Sequence, residues 1–134
     1  MLVRRAHFWL CCMPGQVDAF ERRLSGAPIR TRRATQPSSK FGPYDYIFID
    51  APLRDEPIDL VVVSLLEVLE IHSKVVHEIE PMLGGVRISV VTSDAKYSEE
   101  IDSTTFDRLA RLNLRATFAF EHALPGATFR DDAT

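Results

Sequence analysis

Cysteine is scarce in this chain. Its 134 residues include two, Cys11 and Cys12, and they are adjacent. Neighbouring residues on a strand point to opposite faces, so the pair argues against an intramolecular disulfide, and it lacks metal-ligand spacing. Both read as core thiols in a reducing compartment. No apolar run approaches the ~20 residues of a membrane span. The arginines before the apolar patch in MLVRRAHFWLCCMPG imitate a signal peptide. That patch is short and has no small-residue cleavage site, so the expectation is a cytoplasmic domain that does not meet a membrane.

Catalytic signatures are missing too. No Gly-x-Ser-x-Gly occurs, which excludes that nucleophile elbow. Gly84-Gly85 precedes a strand, the wrong context for a phosphate-binding loop, and is read as a turn. The cysteines have no activating base near them in sequence. His72 and His77 are five apart, whereas a metal-binding helical pair needs a spacing of three or four, so both read as structural. His7 and His122 stand alone. No catalytic residue, metal or cofactor is assigned, and the expectation is a protein that is not an enzyme.

What is present is a strong pattern of elements. Between Pro57 and Pro81 runs an uninterrupted stretch in which Ile58, Val61, Val62, Leu65, Leu69, Val76 and Ile79 recur at helical spacing. Read as one helix it is roughly 35 Å long and needs a sheet to cover it. Strand patterns surround it. In Val3–Met13, Ala6, Phe8, Leu10 and Cys12 alternate with His7, Trp9, Cys11 and Met13; both sets are largely apolar, which predicts a central strand covered on both sides. Gln16–Leu24 reads as a short helix closed by Gly26, Pro28–Arg33 as an edge strand, and 34–43 as a loop. YDYIFIDAP, VRISVVT and LRATFAFE are further strands. Before the last of them, Asp102 or Ser103 caps a third helix with Phe106, Leu109 and Ala110 buried, Ile101 and Phe106 forming a staple, and Asn113 closing it.

The order β-α-β-β-α-β-α-β predicts an α+β fold. Its core is a ferredoxin-like split βαβ arrangement with an added α-β, the helices lying on one face of a mixed, mainly antiparallel sheet. The length suits one domain over 1–124 with a loose tail over 125–134.

Net charge is −3 but unevenly spread: residues 1–43 carry eight Lys/Arg against two acidic residues, and 44–134 carry eight against seventeen. Arg30, Arg32, Arg33 and Lys40, near Phe41 and Tyr44, have the makings of a phosphate-binding patch. The acidic balance of the whole argues against nucleic acid, and an edge-strand guard is the simpler reading. The acidic surplus instead suits a basic protein partner.

The segments HFWL, RTRRATQPSSKFG, YDYIFID, DLVVVSLLEVLEIHSKVVHEIEPM and FDRLARLNLRATFAFE together resemble an uncharacterised bacterial domain-of-unknown-function family. Its members pair an aromatic first strand with a short helix, a Pro/Ser-rich loop, a long acidic helix and a closing helix-strand pair. This chain departs in placing its one tryptophan, Trp9, in the first strand, whereas the resemblance implies an aromatic anchor in the central hairpin, the place of Tyr46 and Phe48. The resemblance implies no catalytic residues. Such domains are similar in size and build to immunity proteins of bacterial toxin systems. The expectation is therefore a non-enzymatic immunity protein that binds and neutralises a basic toxin domain. Asp94, Glu99, Glu100 and Asp102 would form the contact surface, with Asp55 and Glu56 as a second patch. The rival expectation is a ligand-binding or enzymatic domain with a pocket lined by Trp9, Tyr46 and His72, and a homodimer paired through its sheets is a third.

Overall fold

Alternation along the first strand organises the fold. In the computed structural model, which describes residues 1–13, 15–33, 44–80 and 83–123, β1 (Leu2–Cys12) turns Ala6, Phe8, Leu10 and Cys12 into the core. It pairs antiparallel with β3 (Asp45–Asp50) on one side and with β4 (Gly84–Thr92) on the other. Outside β3 lies β2 (Ile29–Arg32), antiparallel, and outside β4 lies β5 (Arg115–His122), parallel. The sheet order is β2-β3-β1-β4-β5. The first four strands make the expected split βαβ core, and β5 extends it at the β4 edge.

A parallel neighbour needs a crossover, and the helix α4 (Ser103–Arg111) supplies it between β4 and β5. With α1 (Val17–Arg23), α2 (Ile58–Ile71) and α3 (Ser73–His77) it covers one face of the sheet. Val17, Leu65, Val76 and Leu109, one from each helix, meet Phe8, Ile47, Ile49 and Ile88 in a single cluster. Each fully buried side chain of this size contributes about 1.5–3 kcal/mol.

Three local expectations are corrected. The single long helix is two: it breaks at His72, whose amide donates to Leu69 O at 3.0 Å, a tighter closure than the α-helical one. The break leaves Ile71 exposed and turns Val75, Val76 and Ile79 back into the core. Gly84 and Gly85 are not a turn but the start of β4. A Cβ on Gly84 would lie 2.9 Å from Ile79 Cγ2, and one on Gly85 would lie 2.8 Å from Arg115 O, so both glycines serve close approach. On α4 the buried residues are Thr105 and Leu109, while Phe106 and Ala110 face outward. Thr105 wins the inner position because its hydroxyl donates to Asp59 Oδ1 on α2 at 2.7 Å.

Other readings hold. Asp102 caps α4, accepting from Thr104 N at 3.0 Å. Asn113 closes that helix at φ 56°. Gly26, at φ 91°, follows α1 as a left-handed residue. The expected loop over 34–43 and tail over 125–134 lie outside the described residues.

Candidate functional site

The face of the sheet away from the helices departs from expectation. Alternation sends Arg5, His7, Trp9 and Cys11 of β1 to that side. Among the described residues no helix packs there, so long side chains cover the central strand instead of a second layer. The register sets His7 between Asp50 and Arg87, Trp9 between Phe48 and Gly85, and Arg5 beside Ser89. Beyond β3, Leu53 and Arg54 rise at one end, and the result is a cleft of about 580 Å³ over the open face. That size falls within the range of small-molecule sites.

Four arginines line it, Arg5, Arg30, Arg54 and Arg87, against two carboxylates, Asp50 and Glu121. Arg30 is committed locally. Arg30 grips Asp50 with both ends of its fork, Nε to Oδ2 at 2.7 Å and Nη2 to Oδ1 at 2.9 Å. Its guanidinium also lies 4.9 Å over the Phe48 ring. Phe48 is in turn flanked by the parallel ring of Tyr46 at 5.9 Å and the edge-on ring of His7 at 5.6 Å. The Arg30 hydrogen bonds hold the Asp50 carboxyl below the usual range.

The other cations crowd one another. Burial, and then the nearby Arg54 charge, push Arg5 down from its ordinary value, with Asp55 and Asp50 partly offsetting them. His7, 5% exposed, is pushed down to about 4 by burial, helped by Arg30 and Arg87 and opposed by Asp50. It is neutral at pH 7. Arg87, alongside it, makes no ion pair or side-chain hydrogen bond among the described residues. Apolar surface from Ala6, Ala51, Leu53, Val91 and Ala119 completes the lining. Partly desolvated guanidiniums over an apolar wall are suited to an anion carrying a hydrophobic body. As a nucleophile Cys12 is poorly placed: it belongs to the core, and burial pushes its thiol up to about 11.

The expected site residues fall in several places. Trp9 and Tyr46 share the open face, but His72 sits at the α2–α3 break in the helix layer, across the sheet from them. These three are therefore not brought together, because strand parity puts Trp9 on the side opposite the helices. Arg30 faces the cleft, whereas Arg33 turns to α1, reaching Asp18 at 3.1 Å and Glu21 at 3.3 Å. Arg32 Nη1 donates to Arg33 O at 2.5 Å. The three do not make one patch.

Of the acidic residues, Glu99 forms a double contact with Arg4 at 2.8 and 3.0 Å and accepts from the Tyr97 hydroxyl. Asp55 accepts from Arg4 N at 2.9 Å, so Arg4 draws the two expected acidic stretches to one end of the molecule. Asp102 is the α4 cap, and Asp94 accepts from Lys96 N at 2.9 Å within its own turn. Glu56 and Glu100 are exposed.

Arg5, His7, Asp50, Arg54 and Arg87 were not singled out from sequence. A signal existed: in RRAHFWL and VRISVV, a basic residue or His takes the positions opposite an apolar alternation. That both sets face one cleft follows only from strand order. No helix among the described residues is long and apolar enough to cross a membrane. Compared with protein-family models, curated proteins and solved structures, the chain finds no match to any of them.

Proposed function

We propose that this chain is a binding domain whose open-face cleft holds a small organic anion, a carboxylate or phosphate ester with an apolar body. One observation carries the reading: Arg87 lines a cleft already rich in guanidinium groups, with no carboxylate of its own among the described residues. An anion there relieves repulsion among the cations, while its apolar body covers the Ala/Val/Leu wall.

The reading as an immunity protein draws less support. Glu99, Asp55, Asp102 and Asp94 are engaged within the fold, which leaves Glu56 and Glu100 as the freer acidic groups. What favours it is the grouping of both acidic stretches around Arg4.

Thermal unfolding against a panel of aliphatic and aromatic carboxylates and phosphate esters tests the proposal. A fitting anion at a hundred times its Kd raises the melting temperature by roughly 8–12 °C. Arg87→Ala, on an otherwise intact fold, weakens binding roughly tenfold or more, the scale of one lost charge-assisted contact. If no anion stabilises the protein, or Arg87→Ala binds as tightly as the parent, the cleft is not the site.

A further inference from the structure

β5 is an edge strand, and nothing among the described residues pairs with its outer side. The two edges of the sheet are built differently. β2 is four residues long and carries Arg30 and Arg32, the short, charged form that discourages pairing. β5 has eight residues, Arg115 to His122, with no proline or lysine, and displays Phe118 at 54% and Phe120 at 60% exposure. Phe106 of α4, tilted against Phe118 at 6.2 Å, adds to this apolar margin, and Tyr97 stacks on Phe120 at 6.0 Å. Three phenylalanines about half exposed represent on the order of 300 Å² of apolar surface. A patch of that size is comparable to the largest on a typical monomer, which is often a functional surface, and here it borders an open strand edge.

The strand is complementary to itself. We infer that two copies of the chain pair antiparallel through β5, about a twofold axis at Phe118, to make one continuous ten-stranded sheet. In antiparallel pairing, residues directly opposite share a face. With Phe118 on the axis, Arg115 lies opposite Glu121 of the second copy and Glu121 opposite its Arg115. Ala116 lies opposite Phe120, and Phe118 opposite Phe118. Two ion pairs form on the open face, and small-against-large aromatic contacts form on the helix face. Sliding the centre to Thr117 or Ala119 loses the Arg115–Glu121 pairs. Doubling the apolar margin and adding the strand edges brings the buried area to about 1,000 Å², the lower bound for a specific interface. The contact is isologous, so it closes at two subunits and leaves no free β5 edge.

Sedimentation equilibrium on the full chain, from 1 to 200 µM, reads the assembly against the 15.1 kDa monomer. The expected result is a dimer. Arg115→Glu alone and Glu121→Arg alone each raise its dissociation constant at least tenfold by setting like charges opposite one another. The double variant Arg115→Glu/Glu121→Arg restores it. Both positions are exposed, and circular dichroism with a melting curve confirms that each variant folds. A chain that stays monomeric throughout the range overturns the inference, including the case in which another segment of this chain covers β5. So does a dimer indifferent to the single reversals, or one that the double swap fails to restore.

Discussion

His7 is a titratable ring held almost out of water on the same sheet face as Arg5, Arg87 and Arg30, with Asp50 as the one carboxylate acting on it. It ionises at about 4 in the folded chain against an ordinary 6.5. Between those values the unfolded chain holds the extra proton, so stability falls as pH drops through this window and is level above it. The span corresponds to a loss on the order of 3 kcal/mol. Urea unfolding at pH 7, 5.5 and 4.5 should show that decline, and His7→Gln should flatten it. An equal decline in the variant would trace the effect to other groups. Asp50, whose folded value lies below the ordinary 3.8, acts in a lower window: its contribution is present above that value and fades as pH falls further. Gly85 is the other residue whose chemistry follows from place. Gly85→Ala drives a methyl against Arg115 O of β5, a backbone atom that does not swing aside. The cost is about 1–3 kcal/mol, measurable as a lower urea midpoint. An unchanged midpoint would mean that β5 shifts freely. Sequence alone suggested a turn for Gly84-Gly85, since two glycines after a proline carry no mark of the strand that passes beside them.

At the scale of elements, α4 is joined to α2 by polar contacts as well as by Leu109. Asp59, in the first turn of α2, accepts from the buried Thr105 hydroxyl at 2.7 Å and from Asp102 N at 3.0 Å. Arg108 of α4 reaches Glu70 near the other end of α2. Asp59→Ala strands a buried hydroxyl, which costs about 1–3 kcal/mol. Hydrogen exchange should show α4 loosening more than β1 does, and uniform loosening would argue against a local clamp. Periodicity alone favoured Phe106 and Ala110 for the inner stripe. Thr105 takes that place because a partner on another element satisfies its hydroxyl, and a stripe drawn from hydrophobicity cannot anticipate that. The break at His72 was illegible for a related reason. Pro57 to Pro81 contains no helix breaker, and the bend follows from where the core lies for Val75, Val76 and Ile79.

For the whole molecule, element order was legible because each element carries its own period: two in β1, β3, β4 and β5, and 3.6 in α2. With the preference for short, right-handed connections, that order restricts the sheet to few arrangements, and the split βαβ core is one of them. Alternation by itself also determined that Ala6, Phe8, Leu10 and Cys12 lie on one face of β1, since they share a parity whatever the neighbours are. The tertiary structure alone decided what the other parity means. Arg5 and His7 become part of a cationic cleft because β3 and β4, far apart in the chain, bring Asp50 and Arg87 to either side of them. Likewise only strand order makes β5 an edge and leaves Phe118 and Phe120, which alternation places on one face, as an exposed margin. Local pattern follows from backbone geometry repeated every two or three to four residues. A charge cluster or a free edge instead depends on which distant segments become neighbours, and no periodicity encodes that.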